Sequence, residues 1–145
     1  MSSNLITITT EHPFQCIGFT ESLQHFIGMM DGQDGVVIAT SQHTTTALIV
    51  NELEERLLMD IEQWLNHLAP PTAHWKHNDL EQRKNIPDDE PRNAHAHLQA
   101  LLLGNHVAIN VKHGKPVLGR YQDVILVELD GPRQRKVALQ WLSAQ

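Results

Sequence analysis

With 145 residues the chain has room for one domain, 1–145, at roughly 100–200 residues per domain, and it is too short for a (β/α)8 barrel of about 250. Hydrophobic residues make up 41% and charged residues 19%, an ordinary globular composition that excludes wholesale disorder; no run approaches the ~20 apolar residues of a membrane-spanning helix. Lys and Arg number 11 against 17 Asp and Glu, a net charge of −6 without the basic stripe of a nucleic-acid binder, so neither nucleic acid nor membrane is an expected partner.

Met1-Ser2-Ser3-Asn4 has no basic or apolar leader character, so no signal peptide is expected, and the single cysteine, Cys16, fits a reducing cytoplasm. Leu5 to Thr9 alternates and is β-branched, and Phe14 to Phe19 forms a second strand after the break at Glu11-His12-Pro13. Ser22 is placed to cap a short helix carrying Leu23, Phe26, Ile27 and Met30 on one face. Val36 to Thr40 and Thr45 to Val50 are near-continuous apolar runs, the pattern of buried strands. Asn51 reads as the N-cap of a helix with an apolar stripe of Leu53, Leu57, Leu58, Ile61, Trp64 or Leu65, and Leu68. From Pro70 to Arg92 the periodicity disappears, and a loop that long is functional or disordered. Trp75 and the histidines within it favour function. A helix from Asn93 to Leu103 ends at Gly104. Strands follow at 107–111, 117–119, 123–129 and 135–141, joined by short turns that imply antiparallel pairing. The expectation is an α+β fold of largely antiparallel, sandwich-like sheets with two or three helices packed on them. Several strands are apolar on both faces, which points to surface buried between subunits.

Ten histidines in 145 residues are the one compositional hint of chemistry, because imidazole binds metals and titrates near neutrality. His43-Thr44-Thr45-Thr46 stands between two strands, either as an ordinary turn or as a ligand or base beside hydroxyl donors. His95 and His97 lie about 200° apart on a helix turning ~100° per residue, so at most one faces a site. His77 lies in the long loop. Arg133-Gln134-Arg135 is an edge of charge or a bidentate clamp for an anion. Lys112 to Lys115 reads as a hairpin turn, and Cys16 as a core residue rather than a nucleophile. No G-x-S-x-G elbow, Gly-rich phosphate loop or compact H-E-x-x-H signature is present.

Several segments together resemble the YjbQ family, small bacterial and archaeal proteins known as secondary thiamine-phosphate synthases: Gln42-His43-Thr44-Thr45 to Asn51-Glu52, His77, Asn93 to Gly104, Leu118 to Gln122, and Asp130-Gly131-Pro132-Arg133-Gln134-Arg135. Tyr121, Thr46 and Arg92 depart from residues usual there. The resemblance implies a homotrimer with sites near subunit boundaries, with His43, His77 and His97 as ligands of a divalent metal. It also implies condensation of an aminopyrimidine diphosphate with a thiazole phosphate. Glu52 and Gln122 are the catalytic candidates; Thr44, Thr45, Asn51, Asn93, Arg133 and Arg135 are candidates for holding the phosphorylated substrate. Three imidazoles favour zinc over the Mg²⁺ usual with a diphosphate. The alternatives are a metal-dependent hydrolase of a phosphorylated metabolite and a non-catalytic binding trimer whose histidines are structural.

Overall fold

The chain was analysed as a computed structural model, which describes residues 2–144. Its eight strands form two antiparallel sheets. The larger holds β1 (Ser3–Thr9), β8 (Gln134–Ser143), β3 (Gly35–Ser41), β5 (His106–Lys112) and the two-residue β6 (Lys115–Pro116), in the order β1-β8-β3-β5-β6; the smaller holds β2 (Gln15–Gly18), β7 (Asp123–Glu128) and β4 (Thr46–Asn51), in the order β2-β7-β4. Three helices, α1 (Thr20–Gly28), α2 (Glu55–Leu68) and α3 (Ala94–Leu103), complete an α+β fold.

The smaller sheet is the middle layer. One face, with Leu48, Val124 and Leu126, packs against α1 and the larger sheet in a core that includes Phe26, Ile27, Val37, Val111 and Leu139. Its other face, with Ala47, Ile125 and Val127, packs against Leu65 of α2 and Ala96 and Ala100 of α3. The two-faced apolarity of β4 and β7 is thus satisfied within the chain, by helices on one side and a sheet on the other. Helix α3 lies close to the sheet because its inward positions are alanines.

Several boundaries differ from the sequence reading. Helix α1 begins at Thr20, before Ser22, and the Thr20 hydroxyl ties it to β7 by donating to Asp123 Oδ1 (2.8 Å) and accepting from the Val124 amide (3.0 Å). Asn51 does not cap α2. It ends β4, paired with Asp123, and the cap is Glu54, whose carboxylate accepts from the Arg56 and Leu57 amides at 2.9 and 2.7 Å. Those two hydrogen bonds also hold the Glu54 carboxyl below its ordinary pKa. A β-strand continues past its expected end wherever a partner strand still offers pairing, and β7 does so here. The stripe on α2 is only partly buried: Leu65 is fully enclosed, while Trp64 and Leu68 are about half exposed. No strand forms over 117–119; the two-residue β6, Lys115–Pro116, precedes it, directly after a turn in which His113 and Gly114 both take positive φ.

Candidate functional site

Four segments distant in sequence meet at the ends of β4 and β7: the 42–45 loop, the turn from β7 to β8, the start of α3, and the short 3-10 helices Lys76–Asn78 and Leu80–Gln82 within the 70–92 segment. That segment is tied down throughout. Trp75 Nε1 donates to the Pro70 carbonyl (2.9 Å), Arg83 bridges the His77 carbonyl (3.1 Å) and Glu90 (3.2 Å), and Arg92 donates to the Asn78 carbonyl. Asn78 Oδ1 accepts from the Ala94 amide at 3.0 Å and so satisfies a donor of the first turn of α3. Asn93, at the N-cap position, turns its own amide to Asp130 Oδ2 (2.7 Å) instead.

A buried ion pair joins the other segments. Arg135 and Glu128 are 3% and 0% exposed, and the guanidinium meets the carboxylate through two N–H groups, Nε–Oε2 at 2.7 Å and Nη2 on Oε1. Arg135 Nη2 also donates to Thr45 Oγ1 (2.9 Å). Glu128 further accepts from the Asp130 amide (2.9 Å) and the Thr10 hydroxyl (2.7 Å). Burial alone would raise the Glu128 pKa; the hydrogen bonds from Arg135, the Asp130 amide and Thr10 bring it below the ordinary value. Gly131 is required next to this pair, since a Cβ there would lie 2.8 Å from Glu128 Cγ and 2.2 Å from the His12 carbonyl.

The result is a cleft of about 380 Å³ lined by His43, Thr44, Thr45, Glu90, Asn93, His97, Asp130, Arg133 and Arg135. A more apolar cavity of about 540 Å³ shares His43, Thr44 and His97 with it and continues to Leu98, Ala100 and Leu101. A third, of about 430 Å³, places His77 and Trp75 on the far side of His97. The cations of the cleft are paired: Arg133 with Asp130 at 3.0 Å, Arg135 with Glu128. The cleft therefore carries aimed N–H and O–H donors rather than surplus positive charge.

The structure therefore gathers His43, Thr44, Thr45, Asn93, His97, Arg133 and Arg135. Of these, Arg135 commits Nε and Nη2 to Glu128 and Thr45 and so acts as a scaffold, while Arg133 directs Nε and Nη2 to Asp130; in both guanidinium groups Nη1 has no hydrogen-bond partner among the described residues. Asn51 and Glu52 lie at the opposite end of β4, about 17 Å away at ~3.4 Å per residue, and Gln122 accepts from the Gly119 amide at 2.7 Å; none of the three lines the cleft. Residues that the sequence reading passed over are Glu128, Asp130 and Thr10. A carboxylate inside the apolar run Val124-Ile125-Leu126-Val127-Glu128-Leu129, near two arginines, was the available signal.

The three suspected metal ligands do not form one set. The His77 and His97 rings meet edge to face, centroids 4.7 Å apart, and His77 Nε2 is buried without a partner. His43 Nε2 accepts from the Lys136 amide at 2.8 Å, so its lone pair is used. Among the described residues no three His, Cys, Asp or Glu side chains are placed to hold an ion. As the helical reading requires, His95 points away from His97 and lines none of these cavities; its Nδ1 is buried and unpaired. Burial depresses the pKa of His43, His95 and His97, with Arg135 adding to the effect at His43 and His77 at His97. Burial pushes the Cys16 thiol up to about 11, with Glu62 adding to it, which removes the thiolate a nucleophile needs.

The family profile described as "UPF0047 protein YjbQ-like" matches residues 4–144. The chain belongs to the YjbQ/UPF0047 family. A UPF0047 protein of Archaeoglobus fulgidus is 36% identical over 94% of this chain and 98% of its own length, and one from Methanothermobacter thermautotrophicus is 32% identical over 91% and 85%. A hypothetical protein of Aeropyrum pernix superimposes with a TM-score of 0.87 at 34% identity, covering 99% of this chain and 100% of that one. A Sulfolobus solfataricus protein described as YbjQ-like and of unknown function matches with the same score at 31% identity, over 98% and 96%. The YjbQ fold is thus shared across these relatives.

Two predictions follow from the site. Arg135→Met leaves the Glu128 carboxylate buried and unpaired and is expected to cost about 3–5 kcal/mol in urea unfolding, while the double variant Arg135→Met/Glu128→Gln recovers a substantial part; equal losses in both would show that the unpaired Glu128 charge is not the source of the cost. The depressed histidines set an acid limit. The unfolded chain, with imidazoles near ~6.5, takes up protons before the folded one does, so their stabilisation is complete above about pH 6.5 and is lost as the pH falls toward the folded values. The melting temperature should decline below about pH 6.5, less steeply in His97→Gln, and a flat profile down to about pH 5 would contradict this.

Proposed function

We propose that this YjbQ protein is an enzyme acting on a phosphorylated small molecule held in the cleft. The observation that supports this is the convergence of His43, Thr44, His97 and Arg133, from three separate segments, on one cleft. The reaction to test first is the one the sequence resemblance implies, secondary thiamine-phosphate synthesis. The methylene C–O bond of the aminopyrimidine diphosphate breaks, the thiazole ring nitrogen forms a C–N bond with that methylene carbon, and pyrophosphate departs with the bonding pair. The task for protein groups is to stabilise charge on the departing diphosphate, which Arg133 and the Thr44 hydroxyl are placed to do by hydrogen bonding. His97, whose pKa burial and His77 lower, lines the same cleft and adds a ring N–H to the groups facing the departing diphosphate.

Metal-dependent hydrolysis is the second reading, favoured by the unpartnered His77 Nε2 beside His97. These two imidazoles, without His43, would be the protein's contribution, and a zinc-like ion would supply Lewis acidity there. A homotrimer is the assembly we infer from the sequence resemblance, and Met59 and Trp64 of α2 with Leu101 and Leu102 of α3, 64%, 51%, 81% and 54% exposed, offer apolar surface for a subunit contact. Cytoplasmic residence is proposed on the lone free Cys16.

Mixing the two substrates with purified protein is expected to release pyrophosphate and thiamine phosphate, with turnover roughly hundredfold lower in His97→Ala and in Arg133→Ala while both remain folded. No consumption of either substrate would return the protein to a non-catalytic phosphate binder. Zinc should raise the melting temperature of the native chain and not that of His77→Ala if the second reading holds; an unchanged native melting temperature removes it. Light scattering should give three times the chain mass, and a monomer would overturn the assembly.

A further inference from the structure

Strand β3 leaves the larger sheet at Ser41, the last residue it pairs with β8, opposite Val137. Just beyond that pair, on the same edge of β8, the carbonyl and amide of Lys136 still need partners. The Gln42 amide takes the carbonyl at 3.1 Å. With no strand left to face the amide, the His43 side chain curls back and its Nε2 accepts at 2.8 Å. An imidazole here replaces a strand residue in the ladder.

That replacement fixes the chemistry of the ring. A neutral imidazole has one bare nitrogen and one protonated nitrogen, so a bare Nε2 requires hydrogen on Nδ1. The opposite tautomer, or a doubly protonated ring, would set two N–H donors against each other. Burial first, and then the charges of Arg135, Arg133 and Lys136, disfavour protonation as well, with Glu128 opposing them. Nδ1 has no protein partner among the described residues, and the ring lines both the polar cleft and the apolar cavity beside it, in each case next to Thr44.

We propose that His43 is a fixed hydrogen-bond donor of the cleft, locked as the Nδ1–H tautomer by the Lys136 amide and presenting that N–H to an anionic oxygen of the ligand. The inference deepens the reading of the cleft as a phosphate-binding site and rests on it. It assigns His43 to neither proton abstraction nor metal ligation, since the ring's one lone pair is committed to the backbone. Thr44 and the free guanidinium N–H groups of Arg133 supply the neighbouring donors.

The test is long-range proton–nitrogen NMR on the full chain labelled in its histidines, titrated with inorganic phosphate, with calorimetry alongside. Before phosphate is added, His43 should show a protonated Nδ1 and a bare Nε2, and the Nδ1–H resonance should move along the calorimetric binding curve. His43→Ala should weaken phosphate binding about tenfold or more, the scale of a hydrogen bond to a charged group, while His43→Asn, whose amide nitrogen stands in for Nδ1, should stay within about threefold. A protonated Nε2 in the native protein overturns the proposal without any variant having to fold. Phosphate that binds without moving the His43 resonance overturns it and leaves the cleft reading standing, whereas a native chain that binds no phosphate overturns both.

Discussion

The Glu128–Arg135 pair is the contact on which the site depends. It lies where the last residue of β7 meets the second residue of β8, enclosed from solvent, and the two side chains, besides binding each other, hydrogen-bond to Thr45, the Asp130 amide and Thr10. Through Thr45 it sets the loop that leads into β4, through the Asp130 amide it sets the turn carrying Arg133, and through Thr10 it reaches the end of β1. Removing two charges from water is costly, and such a pair adds little net stability compared with well-packed apolar groups. What it supplies is placement, because each hydrogen bond tolerates only a narrow range of distance and angle.

Around that pair the fold acts as a holder. The smaller sheet is gripped on both faces, and α3 approaches it closely through Ala96 and Ala100. Gln99 pins α3 to the end of α2 by donating to Asn66 Oδ1 (3.1 Å) and the Ala69 carbonyl (3.2 Å). His97 is therefore carried on an element that is fixed along its length, and the 70–92 segment closes over it, bringing His77 against its ring. The polar cleft and the apolar cavity meet at His43 and His97, so both histidines stand at the boundary between two kinds of surroundings.

The roles of individual histidines separate on hydrogen bonding rather than on spacing. His43 is held by the backbone of β8, His77 keeps a buried nitrogen without a partner, and His95 faces away from the cleft. The set suspected of holding one ion, His43, His77 and His97, divides into the His77–His97 pair and a separate ring.

Much of this protein was legible in its residues. Alternating and apolar runs marked most of the strands, the 100° step of a helix placed His95 and His97 on opposite sides, and the ordered motifs from Gln42 to Arg135 identified the family. These are local or collinear signals, and a linear chain carries them in full. Caps and strand ends were less legible: Asn51 has the chemistry of a helix cap, but pairing with Asp123 of β7 outweighed it. The meeting of Glu128 with Arg135, the capture of His43 by the Lys136 amide, and the separation of Glu52 and Gln122 from the cleft were decided by the tertiary structure alone. The first and last depend on which strand ends the sheets bring together, and the capture of His43 on a backbone amide left unpaired where β3 ends; both are properties of the assembled sheets rather than of any stretch of sequence.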